Sequence, residues 1–231
     1  MNALMIAATE RSAGKSVLIA ALAAYWQRYC SDRPLAVMKL VETQAPAGDR
    51  PGLELPLHQL PSVTTPFSYA SSLVPPLAAK EVGDRIKLEE LWQTFEALAD
   101  QNNFVLMEGA ESLGTPITPE TTEADLAWDW RLPVILVVPV KPGAIAQASA
   151  YAALATQARV HLKGIILNCV EPCSEEEILN WASPRLIQSL THRPVLGWMP
   201  HLSPSPDLEK LVQVASNLKL EYLLPLPLIL S

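Results

Sequence analysis

The sequence predicts a doubly wound α/β domain built on a mostly parallel sheet, and three observations carry that expectation. Short, continuously apolar runs recur along the chain. Longer stretches with apolar residues at helical spacing separate them, and turn-rich segments follow the ends of several runs. Strands that are apolar throughout are buried on both faces, which requires helices above and below the sheet.

Taken in order, Leu4 to Ala8 is the first strand. Lys15 to Tyr29 is the first helix, with Leu18, Leu22, Tyr25 and Tyr29 at helical spacing. LAVMKLV reads as the second strand. Lys87 to Gln101 is a helix carrying Leu88, Leu91, Trp92 and Phe95 on one face, and FVLME is the strand after it. VILVVPV (strand), Ala144 to Ala158 (helix), KGIILN (strand), Glu175 to Leu190 (helix), PVLGWMP (strand) and Asp207 to Leu218 (helix) complete the series. Two turn-rich regions, Glu42 to Pro76 and Gly109 to Thr122, break the rhythm. Loops of that length in a compact domain are often functional. Both leave the carboxyl end of a strand, where open parallel sheets bind their ligands. No repeat or linker divides the chain, so one domain over residues 1–231 is expected.

Composition sets the outer bounds. The 231 residues are 49% hydrophobic and 18% charged, which describes a globular chain with a sizeable interior. A net charge of -7 and a pI near 5.1 give no electrostatic reason to expect nucleic acid or an anionic membrane as partner. Any anionic ligand must be held by local geometry. Cys30, Cys169 and Cys173 are too few for a disulfide framework, so a reducing, cytoplasmic setting is expected. The CVEPC pair reads as two structural thiols in preference to a metal site. The longest apolar runs, LPVILVVPV and YLLPLPLIL, fall short of the roughly 20 residues a membrane helix needs.

Between the first strand and helix lies ATERSAGKS, Ala8 to Ser16. Gly14-Lys15-Ser16 at a helix start is suited to phosphate: backbone N–H groups hold the oxygens, Lys15 supplies a point charge and the Ser16 hydroxyl can ligate Mg²⁺. The common spacing Gly-x4-Gly-Lys-[Ser/Thr] would need glycine where Thr9 stands. The stretch is therefore either a longer variant with alanine at its first position or a chance GKS at a helix start.

With these motifs in order along the chain, the sequence resembles the dethiobiotin synthases, closest to their cyanobacterial branch. That family writes its loop Gly-Thr-[Asp/Glu]-x3-Gly-Lys-[Ser/Thr], which ATERSAGKS matches except at Ala8. It has Lys-Pro-x2-[Ser/Thr]-Gly after the second strand, where MKLVETQ keeps Lys39 and Thr43. A strand ending in Glu108-Gly109, followed by VVPVKPGAIAQA, GIILN and PVLGWMP, is similar in order and spacing.

The resemblance implies a P-loop NTPase-like domain that uses ATP and Mg²⁺ to carboxylate 7,8-diaminononanoate with CO2 and close the ring. The route is a carbamate that is phosphorylated and then attacked by the neighbouring amine. Phosphoryl transfer between anions needs positioning and positive charge more than a protein nucleophile, so Lys15 and Lys39 are expected as the cations. Carried over position by position, Glu10, Ser12, Ala13, Gly14, Lys15, Ser16 and Val17 hold the nucleotide. Ser16, Asp49 and Glu108 ligate the metal. Thr9 and Glu10 lie near the diamine and phosphates, and Thr43 lies beside the carbamate. The amides of Gly143 and Ala144 receive the substrate carboxylate. Asn168 reads the adenine edge with help from Pro200, His201 and Leu202. The partners implied are the diamine, CO2 or bicarbonate, ATP and a second copy of the chain, with no nucleic acid and no membrane.

Each assignment has a plainer competitor: a solvated charge for Lys39, a structural ion pair for Glu108, a turn cap for Asn168. Trp92, Trp128, Trp130 and Trp198 are expected in the core or a dimer contact, and Glu175 to Glu177 as a favourable helix N-terminus. Departures from the family pattern fall at the site itself: Ala8, Gln44, Glu111 and Ser112 stand where glycine is usual. Glu111 is expected to repel phosphate unless it points away or pairs with a cation. A nucleotide-binding homologue without the synthesis is the alternative reading.

Overall fold

The computed structural model describes residues 2–43, 60–202 and 206–226. Its first half runs β1 (Ala3–Ala8), α1 (Lys15–Tyr29), β2 (Leu35–Lys39), β3 (Val41–Thr43), β4 (Val63–Thr64), β5 (Phe67–Tyr69), α2 (Pro75–Glu81), α3 (Leu88–Gln101) and β6 (Phe104–Glu108). The second half runs α4 (Glu123–Asp129), β7 (Pro133–Pro139), α5 (Ala144–Gln157), β8 (His161–Asn168), α6 (Glu175–Trp181), α7 (Pro184–Thr191), β9 (Val195–Met199) and α8 (Leu208–Ser216). Seven strands form one sheet in the order β4-β2-β6-β1-β7-β8-β9. Every described pairing within it is parallel.

Because side chains alternate across a strand, the central strands divide their apolar residues between two cores. Met5 and Ala7 of β1, with Leu136 and Val138 of β7, pack on the side of α3, α4 and α5. Leu4, Ile6 and Ala8, with Ile135 and Val137, pack against α1 and α8. This is why the strands read as unbroken apolar runs. β1 lies at the centre, flanked by β6 and β7, so the segments leaving β1, β2 and β6 open at one edge of the sheet, the crevice expected to hold ligand.

Several boundaries differ from the sequence reading. Glu175 to Leu190 is two helices, because Pro184 has no N–H to donate and instead opens α7 at its first position. LAVMKLV also divides: β2 ends at Lys39, and Val41–Thr43 leaves the main sheet to pair with Phe67–Tyr69. The loop Glu42 to Pro76 thus contains β4 and β5, and α2 begins within it. On α1 the buried ring is Trp26 at 2% exposure, while Tyr29 is 61% exposed. Trp92 and Trp130 pack with Phe95 in the core. Trp128 and Trp198 lie at the surface, each 46% exposed. Cys30, Cys169 and Cys173 are free thiols.

Candidate functional site

The glycine missing from the start of the phosphate loop is not needed for its backbone. Ala8 is still part of β1, its methyl is fully buried, and it is not among the residues with positive φ. Its carbonyl accepts from Leu113 N–H at 3.0 Å, and the next N–H, that of Thr9, donates to Val137 O at 3.1 Å. The glycine that matters is Gly14, the cap of α1, at φ 106. A Cβ there would also stand 2.1 Å from Asn168 Nδ2. Asn168, at the end of β8, is buried and donates from Nδ2 to Ala13 O at 2.8 Å, pinning the loop from beneath. Among the described residues the N–H groups of Gly14, Lys15, Ser16 and Val17 have no backbone acceptor. They form a row of donors at a positive helix terminus, the arrangement that binds phosphate.

Lys15 is folded over this loop and is 3% exposed. Its ammonium donates to Glu111 O at 2.7 Å and Arg11 O at 3.3 Å. Burial lowers its pKa, opposed by the carboxylates of Glu123 and Glu108. Neutral carbonyls are weaker partners for an ammonium than anionic oxygens, so neither contact is a strong hold on Lys15. Ser16 Oγ donates to Glu108 Oε1 at 2.7 Å. Lys39 lies 4.0 Å from Glu108 and 2.8 Å from Glu42 Oε1. The pairing of β2 with β6 sets Lys39 directly beside Glu108, which is why the two charges meet. The hydroxyl and carboxylate are hard oxygen donors side by side, the donor type Mg²⁺ takes alongside phosphate and water. Asp49 and Gln44 lie outside the described residues, and among those described no three His, Cys, Asp or Glu side chains converge to hold a metal.

Glu111 has a cation. Its Oε1 pairs with Arg11 Nη2, which also donates to Thr43 Oγ1 at 3.2 Å and to Ser72 O at 3.1 Å. Thr43 Oγ1 in turn lies 3.3 Å from Glu111 Oε1. The carboxylate that replaces a glycine is therefore neutralised within the loop. Ser112 turns to Thr115, donating N–H to its Oγ1 at 2.9 Å.

Glu123 is a site residue that the sequence reading missed. Thr122 caps α4 reciprocally with Asp125, and this capping pattern was the available signal for a helix starting at Glu123. Nothing in it foretold that Glu123 would be fully buried behind the Glu108–Ser112 turn. Its Oε2 accepts from Ala110 N–H at 2.8 Å, and Oε1 has no hydrogen-bond partner among the described residues. Burial pushes its pKa up to about 8, with the charge of Lys15 acting in the opposite direction. Gly109 is required here for space: a Cβ would stand 2.2 Å from Glu123 Oε1.

On the other side of the loop, Thr9 Oγ1 donates to Gln147 Oε1 at 3.3 Å. Glu10 pairs with Lys141 and accepts from Gln147 Nε2 at 3.4 Å. These contacts join the loop to the start of α5. The two amides expected to act together there differ. Ala144 N–H is turned inward onto Lys141 O at 3.0 Å, because Gly143 at φ 90 closes a tight turn. The N–H groups of Gly143, Ile145 and Ala146 have no backbone acceptor among the described residues, so the free donors include Gly143 but not Ala144. Pro200, His201 and Leu202 follow β9. Cys169 N–H donates to Met199 O at 3.0 Å, and His201 Nδ1 is hydrogen-bonded to Val170 O at 2.7 Å, so this segment runs alongside the residues after Asn168.

The arrangement is a phosphate cradle with two lysines and a carboxylate at the ends of neighbouring strands, able to hold a nucleotide and stabilise charge as phosphate moves. A family model described as "AAA domain" matches residues 2–207. The ATP-dependent dethiobiotin synthetase BioD of Gloeothece citriformis is 48% identical over 98% of this chain and 100% of its own. The protein of the same name from Crocosphaera subtropica is 46% identical over 96% of this chain and 100% of its own. Among solved structures, a ParA family ATPase from Chlorobium tepidum TLS superposes with a TM-score of 0.57 at 12% identity, over 96% of this chain and 95% of that one. The MinD cell division protein of Aquifex aeolicus gives 0.52 at 13%, over 92% and 86%. These last two share the fold alone. Identity at this level over almost the full length, on a chain whose loop, lysines and strand-end glutamate converge, has one reading: the chain belongs to the ATP-dependent dethiobiotin synthetase family.

Proposed function

We propose that this chain carboxylates 7,8-diaminononanoate with CO2 and closes the ring to dethiobiotin, converting ATP to ADP and phosphate. The observation that supports it most directly is the convergence of Lys15, Ser16, Glu108 and Lys39 beside a row of amides that have no backbone acceptor among the described residues. In this reading one substrate amine takes up CO2 as a carbamate. A carbamate oxygen attacks the γ-phosphorus of ATP, and ADP leaves. The second amine then attacks the carbonyl carbon of the mixed anhydride, phosphate departs, and the ring closes with loss of the amine proton. No protein nucleophile is required, so rate comes from alignment and positive charge.

The loop amides from Ser12 to Val17 cradle the phosphates. Lys15 leaves its two carbonyls for the outer phosphates, and Lys39 faces the carbamate across from Thr43. Ser16 and Glu108, with Asp49, would hold Mg²⁺, which spreads phosphate charge when bound. Thr9 and Glu10 face the diamine, and the free amides at the start of α5, Gly143 among them, receive its carboxylate. Asn168 keeps Nδ2 on the loop and offers its carbonyl to the adenine amino group, with Pro200 to Leu202 forming the rest of that wall. We further propose a cytoplasmic homodimer. Among the described residues no helix is long and apolar enough to cross a membrane.

The test is a coupled assay of the purified chain with Mg-ATP, bicarbonate and 7,8-diaminononanoate. Dethiobiotin by mass and ADP should form together, depend on the diamine and vanish in Lys15→Ala. ADP without dethiobiotin, or nucleotide binding without either product, refutes the synthesis.

A further inference from the structure

We propose that Arg11 is a third cation of the phosphoryl-transfer site, gripping the oxyanion of the carbamate, and that Glu111 is the residue that positions it. This rests on the synthetase reading above. Arg11 lies within the phosphate loop, and its Nη2 stands 3.2 Å from Thr43 Oγ1, the hydroxyl placed beside the carbamate in that reading. Lys15 donates to the backbone carbonyls of the same two residues, Arg11 and Glu111, whose side chains pair. Guanidinium and ammonium are thus built on one frame.

The guanidinium is used on one side only. Its contacts with Glu111, Thr43 and Ser72 all run through Nη2. Nε and Nη1, which carry three of its five N–H donors, have no acceptor among the described residues. The side chain is 30% exposed, so an anion can reach them. Both two-pronged edges of a guanidinium include Nη2, so an incoming carboxylate-like group is met by Nη1 or Nε through one oxygen, and the Glu111 contact need not break for that single charge-assisted bond to form. A merely structural pair at this exposure would add little to stability. Holding the guanidinium against Thr43 gives the Glu111 carboxylate a task that the glycine it replaces could not perform: it prevents the long side chain from swinging away, so the cation is already in place to align the carbamate.

The experiment measures kcat for dethiobiotin formation and nucleotide affinity by calorimetry in wild type, Arg11→Ala, Arg11→Lys, Glu111→Gln and the Arg11→Ala/Glu111→Gln pair. Loss of the cation that aligns the carbamate with the γ-phosphorus predicts a fall in kcat of roughly 100-fold for Arg11→Ala, with the nucleotide Kd within about threefold of wild type. Arg11→Lys, which keeps the charge and loses the planar group that meets Glu111, Thr43 and an anion at once, should recover about a tenth of the wild-type rate. Glu111→Gln should cost about tenfold alone and nothing further once Arg11 is alanine. If Arg11→Ala turns over within twofold of an active wild type, Arg11 serves only to neutralise Glu111 and the inference is wrong. Independent, multiplicative losses would overturn the positioning role of Glu111. A wild type that makes no dethiobiotin would overturn the synthetase reading itself, and this inference with it.

Discussion

Replacing the buried Glu123 by glutamine should make the chain more stable at high pH and leave it nearly unchanged at low pH. Glu123 is 0% exposed, and burial pushes its pKa from an ordinary 4.5 to about 8. The folded chain therefore keeps a proton that the unfolded chain releases above pH 4.5. Its stability is whole below that pH and falls as pH rises towards 8, where the folded form also gives the proton up. Each pH unit of that interval corresponds to 1.36 kcal/mol, so the full loss is on the order of 5 kcal/mol. Glutamine is close in shape to the protonated acid, can accept from Ala110 N–H as Oε2 does at 2.8 Å, and does not titrate. Urea unfolding at pH 5, 7 and 9 should give a difference between Glu123→Gln and wild type of about 1 kcal/mol or less at pH 5. By pH 9 it should grow to roughly 3–5 kcal/mol in favour of the variant. A difference that stays flat within about 1 kcal/mol across this range would refute the argument, because it would mean that Glu123 is already ionised when folded.

Two further outcomes follow from the packing of the loop. Gly109→Ala should destabilise by about 1–3 kcal/mol in the same unfolding assay, since the new Cβ would stand 2.2 Å from Glu123 Oε1; most of that cost should disappear in a Glu123→Ala background, and additive losses would place the clash elsewhere. Ala8→Gly, which restores the usual loop residue, should lower stability by about 0.5–1 kcal/mol and raise turnover by less than twofold, because Ala8 is a strand residue with a buried methyl; a several-fold gain in kcat would show that alanine does obstruct the loop.

Much of the architecture was legible because the physics is local. Unbroken apolar runs such as Val134 to Val138 have no polar face, so both faces must be covered, and the alternation of such runs with helices leaves few arrangements open. Gly14-Lys15-Ser16 could be read because φ 106 at Gly14 and a helix start at Lys15 are properties of neighbouring residues. The proline at 184 carried its own signal, yet the periodicity of its neighbours concealed the break between α6 and α7. β3 and β5 escaped notice because three residues are too few to show a period, and their partner is distant in sequence.

By itself, then, the sequence determined the layered sheet, the phosphate loop and the charged residues that end its strands, since each follows from periodicity or from a backbone requirement within a few positions. Only the tertiary structure decided what those charges meet. Lys39 faces Glu108 because β2 pairs with β6, and Arg11 neutralises Glu111 across 100 positions of chain. Glu123 lies buried behind Gly109, and Asn168 reaches Ala13 from 155 positions away. Solvation, ion pairing and pKa depend on which groups are brought within a few ångströms, and packing alone sets those distances.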